Sequence, residues 1–274
     1  FQWRNTYGLS IHEFETYCKK YNVRLENIWN MFVSNALKQD NSFNADTLHK
    51  YLLSLKMNKR DSLWTIYINK LDSDSKLIST VNSIVEGQQQ VFSNEKQIEL
   101  LLTLFGWTLT SSNRKLRDTV SKAMVEIFKC NFNLAKLMLK KFENVDDPYV
   151  LQRLYGIVWG ACVKREKKNK TGYKALAKYV YKTIFLAKQV YPDILLRDYA
   201  RLIIERYLFE YPDEDCFDIA KITPPYTSIP IPTIVSEEYK NKTLEKGEFL
   251  LVHSMRFENY GWYGDFGRYV FERA

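Results

Sequence analysis

Trp107-Thr-Leu-Thr-Ser-Ser-Asn-Arg-Lys-Leu-Arg-Asp118 decides the fold, because its last part returns downstream at a repeat-like distance. Leu116-Arg117-Asp118 reappears as Leu196-Arg197-Asp198, with a fainter echo at Gln152-Arg153-Leu154. Aligned on their arginines, the segments read RDTVSKAMVEIF, RLYGIVWGACV and RDYARLIIERYL. An apolar run follows each arginine, with a smaller residue three positions on: Val120, Gly156 and Ala200. The arginines are spaced 36 and 44 residues apart, against a period of about 40–47 for helix-pair repeats of the HEAT and armadillo type. The expected fold is therefore all-α, an irregular HEAT-like or TPR-like α-solenoid of helix pairs with a Pro-rich, irregular C-terminal segment. Such stacks present extended surfaces, so they point to binding before catalysis.

Helical signals run from the N-terminus to about residue 210. Ser10-Ile-His-Glu13 has the form of a capping box, in which the serine and glutamate each satisfy a free main-chain N–H. Leu25, Ile28, Trp29, Phe32, Val33 and Leu37 form one apolar stripe, and Asn44 or Asp46 caps the next helix. Further helices are expected over 61–71 and 76–85, with a break at Gly87 and a new start at Ser93 or Asn94. Thr110-Ser-Ser-Asn113 reads as the turn into the helix that holds Arg117. Asp147-Pro148 is a strong start signal, because the imino acid lacks only an N–H that has no helical partner there. Helices over 134–142, 173–188 and 192–209 complete the pattern. Five of the seven prolines then fall between Pro212 and Pro232; they stop helix by fixing φ and removing donors, so 211–235 is read as extended. The chain divides into a helical segment 1–90, HEAT-like repeats 91–210, and a Pro-rich, aromatic and glycine-containing tail 211–274.

Composition narrows the function. The 274 residues are 46% hydrophobic, with 19 Tyr and 16 Phe, which describes a chain that folds around a core. The net charge of +8 suits nucleic acid or an acidic protein partner. The densest basic run, Lys164-Arg-Glu-Lys-Lys-Asn-Lys170, sits between helical patterns and reads as a solvated loop. Cys18, Cys130, Cys162 and Cys216 show no metal-ligand spacing, so buried free thiols in a reducing cytoplasm are expected. The sequence carries no signal peptide and no apolar run of about 18 residues, so no membrane association is expected. It opens on Phe1-Gln-Trp3 without methionine and reads as a piece of a longer protein.

Motifs of catalysis are thin. Asp265-Phe266-Gly267 matches the magnesium-binding tripeptide of protein kinases, but the glycine-rich loop, the strand lysine and the catalytic loop are missing from the sequence. No Walker A frame surrounds Gly172 or Gly247. His12, His49 and His253 are isolated and suit packing or surface roles; Ser111-Ser112 suits capping. A base-processing enzyme would need a buried aspartate among aromatics, which no segment singles out. The repeated arginines read best as a ladder, each bonding an acidic residue or helix-end carbonyl of its neighbour; the alternative is a row that grips phosphate or an acidic partner.

The segment Trp107–Asp118, together with Arg60-Asp-x-x-Trp64, Asp147-Pro-Tyr-Val150, Arg153-Leu-Tyr155, Leu195-Leu-Arg-Asp-Tyr-Ala200 and Gly264-Asp-Phe-Gly-Arg-Tyr-Val-Phe271, resembles the helical-repeat region of large bacterial STAND NTPases of Avs-type antiphage defence. The resemblance covers residues 60–271. It implies a cytoplasmic sensor that recognises a viral protein, while an NTPase using ATP and magnesium, and an effector enzyme, lie elsewhere in the parent protein and oligomerise with it. It implies no catalytic residue, cofactor or metal in this chain. Repeat or interaction roles fall on Trp107, Asn113, Arg114, Arg117, Asp118, Asp147, Arg153, Arg197, Asp198, Asp265 and Arg268. The alternative function is a HEAT-like module that binds nucleic acid.

Overall fold

Five helices begin where a short polar side chain accepts a hydrogen bond from the main-chain N–H three residues on. Asn44 takes Thr47, Asn94 takes Gln97, Asn113 takes Leu116, Asp147 takes Val150 and Asp193 takes Leu196. Each such cap is worth about 1 kcal/mol to its helix. The computed structural model describes residues 26–71, 75–88, 94–165 and 170–228, with Glu13, Thr16, Tyr17, Lys20 and Tyr21. Helices α1 (Glu26–Asn35) and α2 (Ala45–Ser54) come first. Helix α3 begins as Met57–Arg60, widens into a π-helical stretch, Asp61–Thr65, and ends as Ile66–Asn69. Then follow α4 (Lys76–Val85), α5 (Glu95–Thr108), α6 (Arg114–Phe128), α7 (Phe132–Lys141) and α8 (Pro148–Lys164). Helix α9 (Lys170–Val180) continues into a second π-helical stretch, Tyr181–Phe185, and α10 (Ile194–Glu210) and the single turn α11 (Ile219–Ile222) complete the described chain. Among the described residues there is no strand, only a bridge between Val190 and Ser228, and no helix long and apolar enough to cross a membrane.

Alternate helices pack side by side. In one row α4 lies on α6, α6 on α8 and α8 on α10; in the other α2 lies on α5, α5 touches α7 and α7 lies on α9. Consecutive helices α5–α6, α7–α8 and α9–α10 each contribute one member to each row. Among the described residues one core runs from Ile28 to Ile222. An ionic cluster ties α2, α5 and α7 together: Lys96 bonds Asp46 at 2.7 Å and Glu99 at 2.9 Å, and Lys141 bonds Glu99 at 2.9 Å and also Asp46. Burial raises the Asp46 and Glu99 carboxyls, but the two lysines together hold both below the usual range.

Some sequence expectations need correction. Residues 211–228 are not extended throughout, because Asp218 caps α11 and Ile222 is buried. The basic run after α8 is not simply solvated. Arg165 is buried, pairs with Glu210 at the end of α10, and lies 4.4 Å from the centre of the Tyr173 ring. Cys162 is a buried free thiol, raised to about 12 by burial, whereas the free Cys130 is exposed. The capping box at 10–13 apart from Glu13, Cys18, the aromatic tail, Asp265 and Arg268 lie outside the described residues.

The row of α4, α6, α8 and α10 depends on close approaches at two glycines of α8. A Cβ on Gly156 would sit 3.0 Å from the Tyr199 ring of α10, and one on Gly160 would sit 3.1 Å from Val125 of α6. In the row of α2, α5, α7 and α9 the approach is tighter still. A Cβ on Gly106 would fall 2.4 Å from Cζ of the buried Phe142 ring. Gly106→Ala is therefore expected to destabilise the chain by about 1–3 kcal/mol through overpacking, and Phe142→Leu in the same chain to restore part of that loss. Urea denaturation of the two single variants and the double variant measures this; simple additivity would show that the ring is not the limiting contact.

Candidate functional site

Helix α3 places three side chains against turns that join other helices. The Arg60 guanidinium, with no exposed surface, donates from Nη1 to Asp146 Oδ1 at 2.7 Å and from Nη2 to Asp147 Oδ2 at 3.4 Å. It also lies 5.3 Å from the Trp107 ring centre. One turn on, Trp64 Nε1 donates to the Trp107 carbonyl at 3.0 Å, and Trp107 Nε1 donates to His49 Nδ1 at 3.0 Å. At the end of α3, Asn69 Oδ1 accepts from the Ser111 hydroxyl at 2.6 Å and the Ser112 N–H at 3.0 Å, while its Nδ2 donates to the Ser112 hydroxyl at 2.7 Å. The two carboxylates beside Arg60 differ. Its hydrogen bond pulls the half-exposed Asp146 below the usual range, whereas burial pushes Asp147 up despite the Val150 N–H and the guanidinium.

A second set of contacts starts from the same turn. Tyr149 underlies both Arg117 and Arg153, whose guanidinium carbons stand 5.2 and 6.0 Å from its ring centre. Arg117 donates to the Ser111 carbonyl at 2.6 Å, and Asn113 N–H donates to the Ser111 hydroxyl at 3.1 Å. Arg153 pairs with Asp118 of the neighbouring α6, and Arg114 approaches the same carboxylate at 3.5 Å. Against a desolvation penalty, these arginines hold Asp118 below the usual carboxylate range. Trp107, Asn113, Arg114, Arg117, Asp118, Asp147 and Arg153 thus belong to one contiguous set of contacts. Arg197 and Asp198 do not join it. Arg197 bonds the Ser228 hydroxyl at 2.9 Å and lies over Tyr226, and Asp198 accepts from Arg201 at 2.6 Å.

The three repeated arginines all lie on the second helix of a consecutive pair, but not at one depth. Arg117 and Arg197 stand four residues after the caps Asn113 and Asp193, whereas Arg153 stands six after Asp147. By cap position Leu151 matches the other two arginines. The bonds also differ: Arg153 reaches a neighbouring helix, Arg117 a carbonyl of its own entry turn, and Arg197 the segment beyond α10.

Beside this network a groove of about 390 Å³ opens over α6, α8 and α10. Gly156 and Gly160 lie along it, and Tyr149, Arg153, Leu195, Tyr199 and Lys122 line it. Leu195 is 48% exposed, so the rim combines aromatic, aliphatic and cationic groups, a set suited to a protein surface. Among the described residues no three His, Cys, Asp or Glu side chains are placed to share a metal ion. Comparison with sequence models of known families, with curated proteins and with solved structures finds no match to the chain.

Sequence analysis left His49 between packing and surface roles; the structure gives it the first, buried and bonded to Trp107. The residue follows Leu48 and completes the spacing 45, 48, 49, 52 of buried positions on α2, a signal that was there to read. Burial, and next the charge of Lys141, depress the imidazole from 6.5 to about 4, against a hydrogen bond to the Lys141 main chain and the charge of Asp46. The folded state keeps the ring neutral, with Nδ1 free to accept from Trp107, whereas the unfolded chain protonates it below about pH 6.5. Stability owed to this ring is complete above pH 6.5 and declines as pH falls to about 4, by about 3 kcal/mol in total. Urea midpoints measured across that window should fall less steeply for His49→Phe than for the parent chain; parallel curves would show that His49 is not the group responsible.

Proposed function

We propose that the chain is a non-catalytic recognition segment, built from HEAT-like helix pairs, of a larger cytoplasmic STAND-type antiviral NTPase. In this reading it binds a protein of viral origin and relays the event to an NTPase and effector elsewhere in the same protein, where ATP and magnesium act. The observation that carries the reading is how the motif residues are used. Arg60, Trp64, Trp107, Ser111, Asn113 and Asp147 hold helix ends and turns to one another, while the outward face of α6, α8 and α10 carries an open groove. Four of the segments on which the resemblance rests, distant in sequence, meet in that network. A relay also needs a link from the binding face to the helix ends, since a ligand shifts only an equilibrium whose two states it contacts differently. Tyr149 supplies one: it lines the groove and sits two residues from Asp147, which Arg60 holds.

The test uses the parent protein. Its ATP hydrolysis, assayed with separately purified phage proteins, should rise with the one it recognises. Leu195→Glu, which sets a charge on the exposed rim of the groove, should lower that stimulation by about tenfold or more with no change in melting temperature. ATP turnover that stays with the isolated chain through purification would overturn the proposal, as would a parent sequence without a glycine-rich phosphate loop.

A further inference from the structure

The other row of helices carries a larger groove, of about 970 Å³, on the outer face of α7 and α9. Its walls follow helical spacing. Lys136 and Lys140 stand one turn apart on α7, and Lys178 and Lys182 stand one turn apart on the α9 segment and its π-helical continuation. Like charges at this spacing disfavour a helix. Deeper in this row two lysines are matched: Lys96 and Lys141 bond Asp46 and Glu99. Among the described residues none of the four groove lysines has an ion pair. Between them the groove offers Leu137, 38% exposed, and the partly buried Ala175, with the core residue Leu134 also in its lining.

Resting on the recognition reading above, we infer that this groove takes an acidic amphipathic helix of a partner protein. The volume matches about two turns of a helix some 10 Å across with a pitch of about 5.4 Å. Apolar residues of such a helix lie along Leu134, Leu137 and Ala175, and carboxylates one turn apart on its two flanks meet the two lysine pairs. This is the mode of an amphipathic helix in a groove, with charge selecting the partner. Nucleic acid fits less well. Glu95 and Glu143 also line the groove, and Glu143 already accepts the Tyr179 hydroxyl at 2.9 Å, so a phosphate backbone, charged at every nucleotide, would meet two carboxylates, whereas a helix can set neutral residues opposite them.

The test is selection by the purified chain from a displayed library of amphipathic helices, with a fixed apolar stripe and randomised flanks. Asp and Glu should be enriched on both flanks. Lys→Glu at 136, 140, 178 and 182 together should reverse the selection toward Lys and Arg, and the matching Lys→Gln variant should weaken binding of a selected acidic peptide about tenfold or more. Circular dichroism checks that both variants keep their helices. No enrichment of acidic flanks, or enrichment that both variants retain, would overturn the inference. A single-stranded oligonucleotide that displaces the selected peptide, and itself depends on the same four lysines, would assign the groove to phosphate instead. Failure here leaves the Leu195→Glu experiment untouched, because that residue belongs to the groove on the other row.

Discussion

A guanidinium with no exposed surface must be matched where it lies, and the match made by Arg60 orders everything around it. Taking such a charge out of water costs several kcal/mol unless partners replace the lost hydration. Arg60 finds them in the two carboxylates ahead of α8 and in the face of Trp107. These groups lie on three segments: α3, the turn between α7 and α8, and the last turn of α5. None can shift alone without stranding a buried charge. Asp147 binds both Arg60 and the first free N–H groups of α8, so the start of that helix and the position of α3 are fixed by one carboxylate. Asn69 repeats the arrangement with neutral groups at the turn into α6. Helix α3 is in effect a strap across two of the turns that join the rows.

The parts legible in the sequence are those whose physics is local. Asn44, Asn94, Asn113 and Asp147 were readable as caps because each bonds an N–H three residues away. Arg165 was not, since the glutamate that makes its burial tolerable belongs to the far end of another helix. His49 likewise depends on Trp107, 58 residues on. The π-helical stretches in α3 and after α9 leave no mark in composition. The three arginines fall on helices of one row but not at one depth. Caps Asn113, Asp147 and Asp193 are spaced 34 and 46 residues apart while the arginines are spaced 36 and 44, so the two periods cannot coincide at Arg153.

The site was legible in an uneven way. Of the residues singled out, Trp107, Asn113, Arg117 and Asp147 hold helix ends together, a role that demands fixed residue types at fixed places, whereas Arg197 and Asp198 bond elsewhere. The two grooves lie on outward stripes, where the pattern asks only for polar groups. In sequence, Lys136, Lys140, Lys178 and Lys182 look like any solvated lysines of an amphipathic helix. Only the packing of α7 beside α9 turns them into facing pairs.

The ionic cluster of Lys96, Lys141, Asp46 and Glu99 has a consequence at long range. Its two positive and two negative groups cancel within hydrogen-bonding distance, so it adds nothing to the net charge of +8 and its field fades before it leaves the protein. The potential that reaches water is therefore shaped by lysines lacking such counter-charges, within a screening distance of about 8 Å at physiological ionic strength. An anionic body diffusing past would be turned toward the α7–α9 face before contact, and less toward the groove on the other row, where Arg153 and Lys164 have carboxylates of their own. Salt would then govern how fast the two faces find their partners to different degrees, even if both hold them equally well.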